Sequence, residues 1–166
     1  MQPVLCAVAL GSNLGDSKTI LKAALQTLDR TPGITVEKRS HVYSTKALTL
    51  PDSSPQPDYL NQCALLKTTL VPHELLQVLL AIELQFGRVR QQQWSARTLD
   101  LDLLLFDDVV LNMPDLQIPH PRMRDRAFVL VPLAEIASDW VEPVTGIAIG
   151  QLAQLVDRSG VGQAIT

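Results

Sequence analysis

The fold class predicted by this sequence is α/β of the α+β kind: one antiparallel sheet with helices packed on one face, then an extra hairpin and helices toward the C-terminus. Three observations predict it. Apolar residues recur with periods of two and of 3.6 in the order strand, helix, strand, strand, helix, strand. A chain of 166 residues builds one substantial core, so residues 1–166 are expected to form a single domain. With 46% hydrophobic and 19% charged residues the chain is compact and globular, and no apolar run is long enough to span a bilayer.

Pro3 to Leu10 alternates around valine, leucine and alanine and reads as a first strand buried on both faces, ending at a Gly11-Ser12-Asn13 turn. It has no basic leader and no small-residue cleavage pattern, so no export signal is expected. Asp16 or Ser17 is placed to cap a helix in which Ile20, Leu21, Ala24, Leu25 and Leu28 share one face, stopping before Pro32-Gly33. The intervening G-S-N-L-G-D lacks the spacing and the Lys-Ser/Thr pair of a phosphate loop and is read as a turn. Ile34 to Tyr43 predicts a second strand. Lys46 to Pro57, with three prolines and no periodicity, predicts a long loop, either a binding lid or a plain surface excursion.

Tyr59 to Thr69 predicts a third strand that puts Tyr59 and Asn61 on one face. Pro72 opens a helix that runs to Phe86 and is closed by Gly87, with Leu75, Leu76, Leu79 and Leu80 as its core stripe. Glu83 falls on that same side, where a carboxylate needs a partner. Leu99 to Phe106 predicts a fourth strand, Asp107-Asp108 a turn, and Val109 to Leu111 a hairpin return. The proline-bounded, donor-rich Ile118 to Arg126 then feeds an apolar Ala127 to Ala137, in which Pro132 breaks or opens a helix. Ile149 to Val156 predicts a short helix, and nothing is legible after Asp157. In this order the elements form the split β-α-β, ferredoxin-like arrangement, whose second sheet face is left open for a site.

The chemistry concentrates in Gly87 to Phe106, where three arginines, a tryptophan and two carboxylates precede an apolar end. On a strand, Asp100 and Asp102 share a face with their Cα atoms about 6 to 7 Å apart, a spacing suited to one or two hard cations such as Mg²⁺. The same pattern is that of the solvent-facing half of an ordinary strand. It is the R-x-R, W-x-x-R-T and D-x-D together that favour a site. Net charge is −3, yet six of the nine arginines lie between positions 88 and 126, and no lysine follows Lys67, a bias that suits bidentate phosphate contacts. Cys6 and Cys63 sit in apolar strands and are read as buried free thiols, so a reducing cytoplasm is the expected compartment.

These stretches resemble one family, the 6-hydroxymethyl-7,8-dihydropterin pyrophosphokinases of folate biosynthesis. The resemblance rests on A-L-G-S-N-L-G-D near the start, P-D-Y-L-N at 57–61, I-E-L-Q-F-G-R-V-R at 82–90, R-T-L-D-L-D at 97–102 and I-P-H-P-R-M-x-x-R-A-F-V-L-x-P-L from 118. It implies a ferredoxin-like fold and transfer of pyrophosphate from ATP to the pterin hydroxymethyl group with release of AMP. It further implies Asp100 and Asp102 as ligands of two Mg²⁺ ions, and Glu83, Arg88, Arg97, Leu103, His120 and Arg126 in the ATP site, Arg88 and Arg97 also acting in catalysis. Tyr59 and Phe128 correspond to the aromatic pair around the pterin, Asn61 to its hydrogen-bonding partner, with Asp100 beside it and Thr45 and Leu48 in the pocket loop. Arg90 and Trp94 correspond to mobile-loop residues, Trp94 closing over the substrate, so Gln91 to Ala96 is expected to be a mobile loop. This chain has Ser95-Ala96 where the family commonly has Gly-Pro, and Lys46-Ala47 where it usually has prolines.

The expected partners are thus two small molecules, ATP and the pterin, with no membrane and no nucleic acid, and the expected state is a monomer. Aromatic residues are only 4%, and no strand interleaves them with basic residues as RNA-recognition sheets do. Two other classes stay open at this point: a two-metal nucleotide transferase releasing pyrophosphate, and a non-catalytic ligand-binding module on the same fold.

Overall fold

The computed structural model describes residues 2–13, 16–45, 59–87 and 99–165. Leu48, Arg88, Arg90, Trp94 and Arg97 lie outside the described residues, as do the Lys46-Ala47 and Ser95-Ala96 departures and the expected loops that contain them.

The elements run β1 (Val4–Ser12), α1 (Ser17–Asp29), β2 (Ile34–Arg39), β3 (Val42–Thr45), β4 (Tyr59–Thr68), α2 (Pro72–Gln85) and β5 (Asp100–Phe106). There follow a small hairpin of β6 (Leu111–Met113) and β7 (Leu116–Ile118), a 3-10 turn (Met123–Asp125), α3 (Ala127–Ala137), α4 (Ile149–Leu155) and β8 (Val161–Ile165). The main sheet is antiparallel in the order β5-β1-β4-β3-β8, with β2 also paired to β4. That is the ferredoxin-like order, because the first and third strands of the repeat lie side by side in the middle.

β1 is buried from Cys6 to Leu10, as its near-continuous apolar run requires of a central strand covered on both faces. Val8, Leu10, Ala64, Leu66, Leu101 and Leu103 form one core with Leu21, Leu25 and Leu28 of α1 and Leu75 and Leu79 of α2. Ala7, Ala9, Cys63 and Leu65 face the other way into a second core with Val129, Leu130 and Leu133 of α3 and Ile149 and Leu152 of α4. The face expected to stay open is therefore covered over part of its length by the C-terminal helices.

Several local expectations change. β1 continues through Gly11 and Ser12, because both residues pair with β4 and Gly11 also with β5. Asp16 stands at the N-cap of α1 without a side-chain cap hydrogen bond, and the Ser17 hydroxyl instead donates to Ser12 Oγ at 3.0 Å. The single strand expected from Ile34 to Tyr43 breaks at buried Ser40, whose Oγ accepts the Cys63 N–H at 3.0 Å while its carbonyl accepts from Gln62 Nε2 at 2.7 Å. Side-chain bonds there add to a single backbone bond, from the Ser40 N–H to the Cys63 carbonyl at 2.9 Å. The segment after Asp107-Asp108 does not return along β5; β6 pairs with β7 instead. Pro132 neither breaks nor opens a helix: it lies buried inside α3, where its missing N–H removes only the bond that the Phe128 carbonyl would accept.

α2 behaves as Pro72 at its first turn and Gly87 after its end predict, and Glu74 Oε1 accepts the Val71 N–H at 3.0 Å. Its buried stripe, however, is Leu75, Leu79, Ile82 and Glu83, a 0, 4, 7, 8 spacing, whereas Leu80 is 37% exposed. The unread tail supplies β8, which extends the sheet beyond β3.

Candidate active site

Two neighbouring cavities, of about 640 and 430 Å³, open on the sheet, and both are lined by Asp100 and Asp102. The register explains the larger one. Gly11 of β1 stands opposite Asp100 of β5 on one side and Asn61 of β4 on the other, and Ala9 stands opposite Asp102 and Cys63 in the same manner. Directly paired residues project to the same face, so Asp100, Gly11 and Asn61 lie in one row across three strands, and Asp102, Ala9 and Cys63 in the next row on that face. A Cβ at position 11 would stand 3.3 Å from Asn61 Oδ1, so only glycine keeps the floor flat between the amide and the carboxylate.

The next row is Tyr59, Thr45 and Val161, paired across β4, β3 and β8. Asn61 Nδ2 donates to Thr45 Oγ1 at 2.9 Å, which fixes the amide orientation and leaves its oxygen as an acceptor toward the cavity row. The roof is the start of α3. Arg126 at its N-cap and Phe128 in its first turn both line this cavity, with the guanidinium carbon 5.5 Å from the Phe128 ring centroid, a cation–π distance. Tyr59 and Phe128 thus approach the cavity from the sheet and from the helix above it, as an aromatic pair around a planar ligand would.

α3 is held over the sheet by Glu135. Its carboxylate accepts from Tyr43 Oη at 2.6 Å, pairs with His41 Nδ1 at 2.9 Å and accepts the His41 N–H as well. Burial, with the hydrogen bond and charge of Glu135, pushes the Tyr43 phenol up to about 12, so it stays a neutral donor.

The smaller cavity lies between α2, β5 and the β6–β7 hairpin, lined by Leu76, Leu80, Glu83, Leu103, Leu116 and His120 among others. Leu76 packs against the first core, as the sequence predicts, and also lines this cavity, whereas Leu80 is turned out of the core and presents apolar surface to it. Glu83 is buried, and its Oε2 accepts the Leu101 N–H at 2.7 Å, tying α2 to the strand between the two aspartates. Leu103 lines the cavity while belonging to the first core. His120 hangs from β5 through its N–H to the Leu104 carbonyl at 2.9 Å. Its Nδ1 accepts the Arg122 N–H at 3.2 Å, which places the proton of the neutral ring on Nε2. Burial lowers the His120 pKa; Asp102 opposes this, while Arg126 and Arg122 add to it. His120 is thus a neutral Nε2–H donor at pH 7. Arg126, expected with the nucleotide, lines the larger cavity, although its charge still reaches His120.

The 3-10 turn carrying Arg124 is buttressed by Glu142, whose carboxylate is buried. Burial would raise its pKa, but hydrogen bonds from the Thr145 hydroxyl and the Val144 and Thr145 N–H groups, with Arg124 3.7 Å away, hold it below the ordinary carboxylate range. A depressed folded-state pKa adds stability that is complete above the unfolded value and disappears as pH falls through the folded value. Glu142→Gln is therefore expected to cost about 1–3 kcal/mol in urea denaturation at pH 7. The deficit relative to wild type should narrow below about pH 4, under the unperturbed glutamate value.

Among the described residues no group of three or more His, Cys, Asp and Glu side chains could hold a metal unaided. A pair of half-buried carboxylates between two cavities is the donor set that suits Mg²⁺, which keeps waters and takes its remaining oxygens from substrate phosphates. Sequence reasoning had no signal for Gly11, Leu76, Leu80 or Val161 as lining residues, since each acquires that place through pairing or packing with a distant segment.

The sequence model of the family described as 7,8-dihydro-6-hydroxymethylpterin-pyrophosphokinase matches residues 7–138. A Synechocystis protein named 2-amino-4-hydroxy-6-hydroxymethyldihydropteridine pyrophosphokinase is 49% identical over 154 residues, covering 93% of this chain and 77% of its own length. Proteins of the same name from Pseudomonas aeruginosa and Bacillus subtilis are 46% and 39% identical, covering 80% and 95% of this chain and 80% and 94% of their own. Among solved structures, an HPPK-DHPS in complex with substrates superposes with a TM-score of 0.73 at 11% identity, over 93% of this chain and 43% of that one. Plasmodium falciparum HPPK-DHPS wild type with STZ-DHP gives 0.72 at 15%, over 92% and 43%. This chain spans less than half the length of those solved chains, and the likeness to them is one of fold. With the family's sequence model matching from β1 to the end of α3, a span that includes both aspartates between the two cavities, the chain belongs to the 7,8-dihydro-6-hydroxymethylpterin-pyrophosphokinase family.

Proposed function

We propose that this chain transfers pyrophosphate from ATP to the hydroxymethyl group of 6-hydroxymethyl-7,8-dihydropterin, releasing AMP. The observation that carries this reading is the pair of cavities meeting at Asp100 and Asp102, one for each substrate with the carboxylates between them. In the larger cavity the pterin lies between Tyr59 and Phe128, where stacking excludes water from its faces and Asn61 and Thr45 meet its polar edge. In the smaller, Leu76 and Leu80 cover the apolar part of the nucleotide, and His120 Nε2 donates to its phosphates. Arg88 and Arg97 would contact the same phosphates, as the resemblance to the family implies, and Arg126, which lines the larger cavity, those nearest the pterin.

Asp100 and Asp102 would hold two Mg²⁺ ions, which neutralise and orient the triphosphate. The protein's own part is positioning. Gly11 and Ala9 keep the floor of the larger cavity beside the carboxylates free of bulky side chains, so the hydroxymethyl oxygen and the β-phosphorus can come into line. Glu83 holds the Leu101 amide and with it the orientation of the strand bearing both carboxylates. No described side chain is placed as a strong general base, consistent with a transition state in which charge screening dominates.

Incubating the protein with Mg²⁺, ATP and the pterin and separating the nucleotides should give AMP in one-to-one ratio with the pterin diphosphate. Release of pyrophosphate or ADP instead would assign a different transfer.

A further inference from the structure

The family pattern ends at residue 138, yet the larger cavity is also lined by Asp157, Gly160 and Val161, from the segment that leads into β8. We infer that β8 is the outer wall of the pterin cavity and a determinant of pterin affinity, seated there by the close approach of Gly162 to Ser44. The inference rests on the assignment of the larger cavity to the pterin.

Two independent features place this strand. The first is register: after an irregularity between Tyr43 and Thr45, Val161 pairs with Thr45, which pairs with Tyr59, and all three residues line the larger cavity. Thr45 is the residue that fixes the Asn61 amide, so a displaced β8 disturbs both the wall and the polar reader behind it. The second is the approach itself. A Cβ on residue 162 would stand 2.8 Å from Ser44 Oγ and 3.4 Å from the Ser44 carbonyl oxygen. Strand β8 therefore sits as near to β3 as it does because residue 162 has no side chain.

The segment is tied in at its start as well. Arg158 Nε donates to the Ala153 carbonyl at 2.9 Å, closing the end of α4, the Ser159 N–H donates to Asp157 Oδ1 at 2.9 Å, and the Val161 N–H donates to the Arg158 carbonyl at 3.0 Å. These bonds turn the chain from α4, which packs under α3 in the second core, back to the sheet edge. The smaller cavity has no residue from this segment. The two substrates are therefore separable: β8 acts on pterin binding and leaves nucleotide binding alone.

The test uses two variants of the full chain, Gly162→Val, whose branched side chain meets Ser44 in any rotamer, and Val161→Ala, which trims the wall without moving the strand. Affinities for the pterin, in the presence of a non-hydrolysable ATP analogue, and for the analogue alone are measured by calorimetry, with circular dichroism reporting the fold. Gly162→Val should weaken the pterin by about tenfold or more, and Val161→Ala by a few-fold up to about tenfold, the effect of removing apolar wall from a pocket, with analogue affinity within about twofold of wild type. If Gly162→Val does not fold, Val161→Ala decides. Pterin affinity within twofold of wild type in the folded variants, or equal losses for both ligands, overturns the inference. Failure of the wild-type protein to bind the pterin at all would instead overturn the assignment of the cavity.

Discussion

Asp102→Ala is expected to lower AMP formation by about a thousandfold while the protein stays folded. The magnitude follows from the several kcal/mol of transition-state charge stabilisation that a metal ion on a phosphoryl oxygen supplies; about 4 kcal/mol is three orders of magnitude in rate. Retention of the fold follows from the position. Asp102 is half-exposed on β5 opposite small Ala9, and its strand is held by Leu101, Leu103 and Leu105 in the two cores. Loss of a half-exposed carboxylate beside another should change stability by less than about 0.5 kcal/mol. Asp100→Ala should behave alike, because Asp100 stands in the adjacent row opposite Gly11. The check is a quenched AMP assay beside urea denaturation. Turnover within tenfold of wild type in either variant would remove the metal assignment.

The second large effect is on pterin binding. Phe128→Ala should weaken it by about 1–3 kcal/mol, the scale of one aromatic stacking surface, which is roughly 5- to 150-fold. Phe128 is partly buried in the first turn of α3, and its ring carries the Arg126 guanidinium at 5.5 Å. Removing it therefore takes away a ligand face and loosens a cation of the same cavity. Phe128→Leu separates these contributions from bulk: it retains packing against the second core and should recover stability while recovering little affinity. Nucleotide-analogue affinity should fall much less than pterin affinity in both, since Phe128 does not line the smaller cavity and reaches the nucleotide only through Arg126. Equal pterin affinity in wild type and Phe128→Ala would contradict the aromatic pair.

Much of this site is legible along the chain because its members lie close together in sequence. Asp100 and Asp102 share a face by the two-residue period alone, and the same argument joins Tyr59 to Asn61. Glu83 is identified as a buried carboxylate in need of a partner by its place on an otherwise apolar helix face, and the structure supplies the Leu101 N–H. The breaks in this legibility have equally local causes. Four leucines at 75, 76, 79 and 80 all fall within the α2 stripe that the sequence predicts, and their spacing alone does not say which of them face furthest inward. Ile82 and Glu83 decide that, by turning Leu80 out to 37% exposure beside the smaller cavity. Ser40 ended a strand where alternation ran on, since its hydroxyl took a backbone donor of β4. The segment after Asp107-Asp108 pairs within itself as β6 and β7, and β5, at the end of the sheet, instead takes the His120 N–H at its Leu104 carbonyl.

The Gly87 to Phe106 segment by itself places Asp100 and Asp102 on one strand face, because residue type and strand periodicity are properties of consecutive residues. Only the tertiary structure decided that Gly11 would lie between Asp100 and Asn61, that α3 would roof the open sheet face, and that Val161 would close the row begun by Tyr59. Those placements are pairings between segments up to about a hundred residues apart, selected by burying two apolar faces of one sheet at once, and no short stretch of sequence carries the register of a strand it has yet to meet.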